Sequence, residues 1–155
     1  MLFVYHLPLI RAMEHGIVLI FLPLMGAWIT DTFAYFGGVL FGKHKLIPKI
    51  SPKKTVEGSV SGIAGCVLCY LLYAWIISFF GYKVNFVPLC VLGLICSCLS
   101  QFGDLTASLI KRNCGVKDFG NLIPGHGGIL DRIDSLIFIT PLCYYFLRIF
   151  EVVYK

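Results

Sequence analysis

Long apolar runs alternate with polar segments along the chain. The first run covers residues 16–41 and is interrupted only by Asp31. Further runs cover residues 58–80, 86–102 and 135–150. Each run is close to the roughly 20 residues that a helix needs to cross a bilayer. The pattern therefore predicts an all-α fold, a polytopic transmembrane helix bundle with about four spans.

The composition supports a membrane protein and argues against other classes. Hydrophobic residues make up 58% of the chain and charged residues 14%, whereas about 25% of an ordinary soluble domain is charged. A disordered chain, a coiled coil and a polar nucleic-acid-binding module are all excluded. Lysine-rich loops facing anionic lipid account for the net charge of +5, so we expect membrane lipid and no nucleic acid as a partner.

The basic residues indicate which side of the membrane each loop faces. Nine of the thirteen Lys and Arg residues lie in two polar segments, residues 42–57 and 104–134. Two spans separate these segments, so both lie on one side, and the positive-inside rule makes that side cytoplasmic. We expect a multi-pass protein of the cell membrane, with any functional site formed by its cytoplasmic loops. Both termini would then lie outside. The N-terminal segment, with the charges of Arg11 and Glu14, would have to cross the membrane, which is unfavourable without earlier spans. Residues 1–155 are therefore expected to form a single membrane domain, the C-terminal part of a longer membrane protein.

Small residues form a row at the start of the second span. Glycine and serine dominate residues 58–65, and such a row allows close helix contact in lipid. We expect a partner helix on this face, either from a second copy in a homodimer or from missing N-terminal helices.

The acidic residues point to a metal site. Asp131 and Asp134 are three apart and share one face of a helix, and Asp104 could add a third carboxylate from the preceding span. Carboxylate oxygens completed by phosphate and water suit Mg²⁺. Cations are interleaved with these acids: Lys111, Arg112, Lys117 and Arg132. The combination is typical of a phosphoryl- or nucleotidyl-transfer site. The alternative is an ordinary solvated loop with internal ion pairs.

Two further segments could bind anions, and one acidic residue lies within a span. Glycines around His126 leave the backbone free to approach a phosphate, and the imidazole could donate a hydrogen bond to it. Lys53 and Lys54 follow a proline turn and could hold a head group or a triphosphate, or serve only as a positive-inside anchor. Asp31 lies within a span, where it is either functional or hydrogen-bonded to a neighbouring helix.

The motifs together resemble the signature of the phosphatidate cytidylyltransferase family, the CDP-diacylglycerol synthases. The carrying pattern is S-x-x-K-R-x(4)-K-D-x(5)-P-G-H-G-G-x-x-D-R-x-D over residues 108–134, with D-T-x-A-Y-F-x-G and S-P-K-K-T-x-E-G upstream. The resemblance extends from about Ile17 to Tyr145. Phe33 stands where a glycine is usual, and Ala107 where many members have glutamate. Members of the family are longer than this chain.

The resemblance implies a nucleotidyltransferase of phospholipid biosynthesis that converts CTP and phosphatidate to CDP-diacylglycerol and pyrophosphate. It implies Mg²⁺ as cofactor, with K⁺ as a second candidate ion. The implied metal ligands are Asp104, Asp131 and Asp134. The implied catalytic residues are Lys111, Arg112, Lys117, Asp118, His126 and Arg132. Substrate contacts are expected from Ser108, Lys53, Lys54, Gly127 and Gly128.

Other classes remain as alternatives. A truncated, non-catalytic membrane fragment would keep the same signature. A transporter would carry charges in mid-span, where only Asp31 lies. A CDP-alcohol phosphotransferase would need a D-G-x-x-A-R motif, and the dipeptide D-G does not occur in the chain.

Overall fold

The computed structural model describes residues 5–48, 51–116 and 130–154, and side chains in the last range from residue 133 onward. These residues form six helices and four short strands. The helices are α1 (His6–Arg11), α2 (Gly16–Leu19), α3 (Phe21–Phe41), α4 (Val56–Ser78), α5 (Phe86–Asn113) and α6 (Leu130–Ile149). The strands are β1 (Lys45–Ile47), β2 (Ser51–Thr55), β3 (Lys83–Val84) and β4 (Val153–Tyr154).

The four long helices α3 to α6 form an antiparallel bundle around one apolar core. Each helix packs against the next in the chain, and α3 also contacts α5 and α6. Residues from all four helices are fully buried at the centre: Leu22, Cys66, Tyr70, Leu92, Cys96, Ile139 and Cys143. The predicted all-α bundle is confirmed.

The outer faces of the bundle are apolar, as a membrane protein requires. Trp28, Phe36, Leu68, Trp75 and Val91 are among the large side chains that remain exposed. Three described segments are long and apolar enough to cross a membrane: Gly16–Phe41, Val56–Ser78 and Phe86–Asn113. The predicted fourth span, residues 135–150, forms as helix α6 and packs on α5 and α3. The chain is a membrane protein.

The small-residue row of α4 packs on α3 of the same chain. A Cβ atom added at Gly58 would lie 2.6 Å from the carbonyl oxygen of Ala34, and one at Gly62 would lie 3.0 Å from that of Thr30. Ser61 donates to the carbonyl of Phe33 at 3.2 Å. The predicted close helix contact is confirmed, but its partner is α3. The expectation that this face recruits a second copy or a missing helix is therefore wrong, because α3 already covers it.

Two tyrosines of α4 complete the contact with α2 and α3. Tyr70 is fully buried and donates its hydroxyl to the carbonyl oxygen of Leu22 at 2.6 Å. Tyr73 donates to the carbonyl oxygen of Val18 at 2.9 Å. A buried hydroxyl without a partner would be costly in an apolar interior. These bonds therefore help to set how α4 lies along the first apolar segment.

Helix α5 continues well beyond its predicted end. Residues 104–134 are expected as a loop, but α5 extends to Asn113. Beyond it Gly115 takes a left-handed conformation (φ 69°), its N–H donates to Arg112, and the N–H of Val116 donates to Lys111. This is the Schellman arrangement that ends many helices. Lys111 and Arg112 in the last turn also suit the negative end of the helix dipole.

Two short sheets of two strands each lie at opposite ends of the bundle. Strands β1 and β2 pair antiparallel between α3 and α4, and β3 pairs antiparallel with β4 at the other end. The sequence did not predict either sheet. The β1–β2 hairpin carries Lys45, Lys53 and Lys54, so it places much of the first basic segment beside the ends of the helices.

The glycine contact between α3 and α4 can be tested by adding volume to it. Gly58→Val should destabilise the protein by about 1–3 kcal/mol, because the new side chain meets the α3 backbone, which cannot rotate away. The measurement is the melting temperature in detergent. Ala64→Val, on an exposed face of α4, is the matched control and should leave the melting temperature nearly unchanged. Equal melting temperatures for both variants would contradict the close contact.

Candidate functional site

A cavity of about 640 Å³, with both charged and apolar side chains in its wall, opens at the end of the bundle that carries the β1–β2 hairpin. Helices α3, α4, α5 and α6 and both strands of the hairpin contribute to its wall. Its charged and polar lining residues are Asp31, Lys45, Lys53, Lys54, Thr55, Ser59, Gln101, Asp104 and Asp134. The predicted meeting of the two charged segments at one end of the bundle is confirmed for their described residues.

Three carboxylates reach this cavity from three different helices. Asp31 comes from α3, Asp104 from α5 and Asp134 from the first turns of α6. Asp31 lies ten residues before the end of α3, which is about 15 Å along the helix axis. The cavity therefore runs from the hairpin to a depth where an acidic side chain is costly without a role. The Asp134 carboxylate accepts a hydrogen bond from the N–H of Ser135 at 2.7 Å.

An ion pair joins the hairpin to the helices across the cavity. The ammonium of Lys54 contacts the carboxylate of Asp104, and the two side chains are 28% and 30% exposed. Asp31 lies close enough to interact electrostatically with both groups and with Asp134. Lys54 therefore offsets part of the repulsion among three neighbouring acids. An ammonium has three N–H donors, so Lys54 can bind a further anion while it stays beside Asp104.

A second polar contact joins α4 to α5 in the wall of the cavity. The hydroxyl of Ser59 donates to the side-chain oxygen of Gln101, and the Gln101 amide nitrogen donates to the Ser59 carbonyl at 3.2 Å. Gln101 and Asp104 are three residues apart on α5, so both face the same side of the helix. The contact sets the spacing of α4 and α5 beside the acids.

The hairpin is joined directly to the start of α4. Thr55 is the N-cap residue of α4, and its side chain accepts a hydrogen bond from the N–H of Gly58 at 3.1 Å. Such a cap contributes about 1 kcal/mol to the stability of the protein. Here it also fixes the position of Thr55, the residue that follows Lys54.

The predicted site residues divide into three groups. Asp104, Asp134, Lys53 and Lys54 line the cavity together, and the metal- and substrate-binding roles predicted for them stay predictions. Ser108, Lys111 and Arg112 lie on α5 beyond Asp104 and do not line it, although Lys111 interacts electrostatically with Asp134. The remaining predictions fall outside the described residues: Lys117, Asp118, His126, Gly127, Gly128, and the side chains of Asp131 and Arg132. The predictions for these residues stay predictions.

The cavity offers the right ligand chemistry for a divalent cation. Hard carboxylate oxygens completed by phosphate and water suit Mg²⁺, and three carboxylates line the cavity. Within the ranges that the structure describes, no three His, Cys, Asp or Glu side chains lie close enough together to hold a metal ion by themselves. An ion here would therefore need oxygens from a bound phosphate or from Asp131.

Sequence reasoning missed three polar residues of the cavity wall: Lys45, Ser59 and Gln101. Gln101 could have been found, because it lies three residues before Asp104 and shares its face once α5 is recognised as continuous. Ser59 gave no such signal, since its contact with Gln101 is long-range. An acidic side chain within a span, such as that of Asp31, is predicted to have a function or a hydrogen-bond partner. The structure places Asp31 in the wall of the cavity.

Comparisons with known proteins identify relatives along nearly the whole chain. The model of the cytidylyltransferase family matches residues 1–150. Phosphatidate cytidylyltransferase of Bacillus subtilis (strain 168) is 39% identical over 151 residues, which are 97% of this chain and 55% of the relative. Phosphatidate cytidylyltransferase 5, chloroplastic, of Arabidopsis thaliana is 47% identical over 134 residues, 86% of this chain and 33% of the relative. The chain spans between a third and just over half of the length of these curated relatives.

The Lys54–Asp104 ion pair can be tested by a double-mutant cycle. Lys54→Met and Asp104→Asn should each lower stability in detergent, and the double variant should lose less than the sum of the two. A coupling of up to about 1 kcal/mol is expected for a pair that is one-third exposed. The control is the same cycle with Lys53→Met and Asp104→Asn, in which the two losses of stability should add. Additivity in the Lys54 cycle would show that the ion pair does not stabilise the fold.

Proposed function

The chain belongs to the cytidylyltransferase family, and on that basis we propose that the full protein transfers a cytidylyl group from CTP to phosphatidate. The products are CDP-diacylglycerol and pyrophosphate. One observation carries the proposal for this chain: three carboxylates and three lysines line one cavity at the end of a membrane-embedded bundle. A site of this kind suits a reaction between a water-soluble triphosphate and a lipid phosphate.

The reaction needs positioning and charge stabilisation more than proton transfer. A phosphate oxygen of phosphatidate attacks the α-phosphorus of CTP, a P–O bond forms, the bond between the α- and β-phosphates breaks, and pyrophosphate leaves. The second pKa of a phosphate monoester is about 6, so the nucleophile is largely ionised at neutral pH. No general base is required, and the protein acts through preorganised charges.

The lysines of the hairpin are the proposed phosphate ligands. Lys45, Lys53 and Lys54 line the cavity from the two strands of one hairpin. Together they would bind the triphosphate and stabilise negative charge on the leaving pyrophosphate. Lys111 and Arg112, further along α5, would attract the anionic substrates toward the cavity mouth.

The carboxylates are the proposed Mg²⁺ ligands. Asp104 and Asp134, with Asp131 from the same turn of α6, would hold the ion together with phosphate oxygens. When bound there, Mg²⁺ would neutralise phosphate charge and polarise the phosphorus centre. The ion pair with Lys54 supports this proposal, because it would hold Asp104 beside a bound triphosphate.

The proposed activity can be tested on the full-length protein in liposomes with CTP, phosphatidate and Mg²⁺. CDP-diacylglycerol and pyrophosphate should form in equal amounts. Asp134→Asn should reduce kcat on the order of a hundredfold, as expected for loss of a charge that acts on the transition state. Glu151→Gln, at the opposite end of the bundle, is the matched control and should retain activity. An inactive wild-type protein would favour a non-catalytic membrane role.

The lysine-rich end of the bundle is proposed to face the cytoplasm, because basic loops are retained on that side. Cys114 is exposed just beyond the end of α5 at this end. A membrane-impermeant maleimide added to intact cells should therefore leave Cys114 unlabelled, and inside-out vesicles should label it. Lys83→Cys, at the opposite end of the bundle, should be labelled from outside. The reverse pattern would invert the orientation.

A further inference from the structure

Glu57 makes a set of contacts that the proposed reaction does not use. It lies in the first turn of α4 and does not line the cavity. One carboxylate oxygen accepts hydrogen bonds from the backbone N–H groups of Lys43, at 3.1 Å, and His44, at 3.2 Å. The other oxygen lies 2.6 Å from Nδ1 of the His44 ring. A single side chain thus binds the two residues that immediately precede β1.

The other end of the hairpin is fixed to the same turn. The N–H of Val56 donates to the carbonyl oxygen of His44 at 2.9 Å, and Thr55 pairs with Lys45 across the sheet. Thr55 also caps α4. Both the entry and the exit of the hairpin are therefore attached to the rigid start of a long helix. At the entry, Glu57 binds the N–H groups of Lys43 and His44, and the N–H of Val56 binds the carbonyl of His44.

The attachment matters because of what the hairpin carries. Lys45, Lys53 and Lys54 all reach the cavity from its two strands. Three like charges on a short hairpin repel one another, and each long side chain loses conformational freedom when it is held at a site. Hydrogen bonds to an ionised carboxylate are stronger than those between neutral groups. They can hold the hairpin in place before an anion is bound, which reduces the cost of binding.

We propose that Glu57 is a positioning residue: by binding the backbone N–H groups of Lys43 and His44, it holds the hairpin so that its lysines face the bound triphosphate. The identity of that anion rests on the proposed function. The rival explanation is that Glu57 only stabilises the positive end of the α4 dipole. That role would affect stability without a specific effect on nucleotide binding or on the hairpin.

The kinetic test uses the full-length protein in liposomes. Glu57→Ala should raise the KM for CTP by about tenfold, because the hairpin is no longer held in place before CTP binds, and change kcat by less than about twofold. Glu57→Gln keeps an acceptor oxygen but loses the charge, so its KM should be intermediate. Lys43→Met is the matched control: it removes a charge but leaves the backbone N–H that Glu57 binds. Its KM should stay within about twofold of the wild type.

A second readout does not depend on activity. Without nucleotide, trypsin should cleave after Lys45, Lys53 or Lys54 faster in Glu57→Ala than in Lys43→Met, because the hairpin entry is released. An unchanged cleavage rate in both Glu57 variants, or a fall in kcat without a rise in KM, would overturn the positioning role. A wild-type protein without CTP-dependent turnover would refute the proposed function, and the cleavage rates would still decide whether Glu57 positions the hairpin.

Discussion

The close approach of α3 and α4 is the contact on which the rest of the described structure depends. In lipid, two helices gain no hydrophobic free energy from each other, so their association relies on van der Waals contact and hydrogen bonds. Gly58 and Gly62 allow the α3 backbone to come within contact distance, and Gly38 of α3 does the same for the Thr55 side chain. Because the two helices touch at this end, the hairpin between them is held against the bundle. Lys54 of the hairpin then reaches Asp104 of α5.

The predictable part of the structure follows from local patterns. Apolar runs predict the spans, and the small-residue row predicts a close helix contact. Asp104, Asp134, Lys53 and Lys54, which the sequence groups as candidate site residues, lie around one cavity. The predicted partner of the small-residue row was wrong. The pattern shows that a surface is close-packed but does not show which helix covers it. The contact between Ser59 and Gln101 was missed for a related reason: it joins residues 42 apart along the chain.

The end of α5 shows a different limit of prediction from hydropathy. Hydropathy predicts that a loop starts after Phe102, because it marks where a helix leaves the membrane and not where the helix stops. The stop signal was present at Gly115, preceded by Lys111 and Arg112 in the last turn. Helix-capping chemistry therefore carried information that hydropathy did not. The strands of the hairpin had no comparable signal, since lysines and prolines are poor strand formers.

The length of α5 orders its charges by distance from the membrane. Its 28 residues extend about 42 Å, whereas the hydrocarbon core is about 30 Å thick. If the helix enters the hydrocarbon at Phe86, Asp104 lies near the far boundary, and Lys111 lies about 10 Å further out, at the level of lipid head groups. An anion that approaches from the water would meet Lys111 and Arg112 first and the Lys54–Asp104 pair afterwards. One continuous helix thus spaces the charges along the route into the cavity.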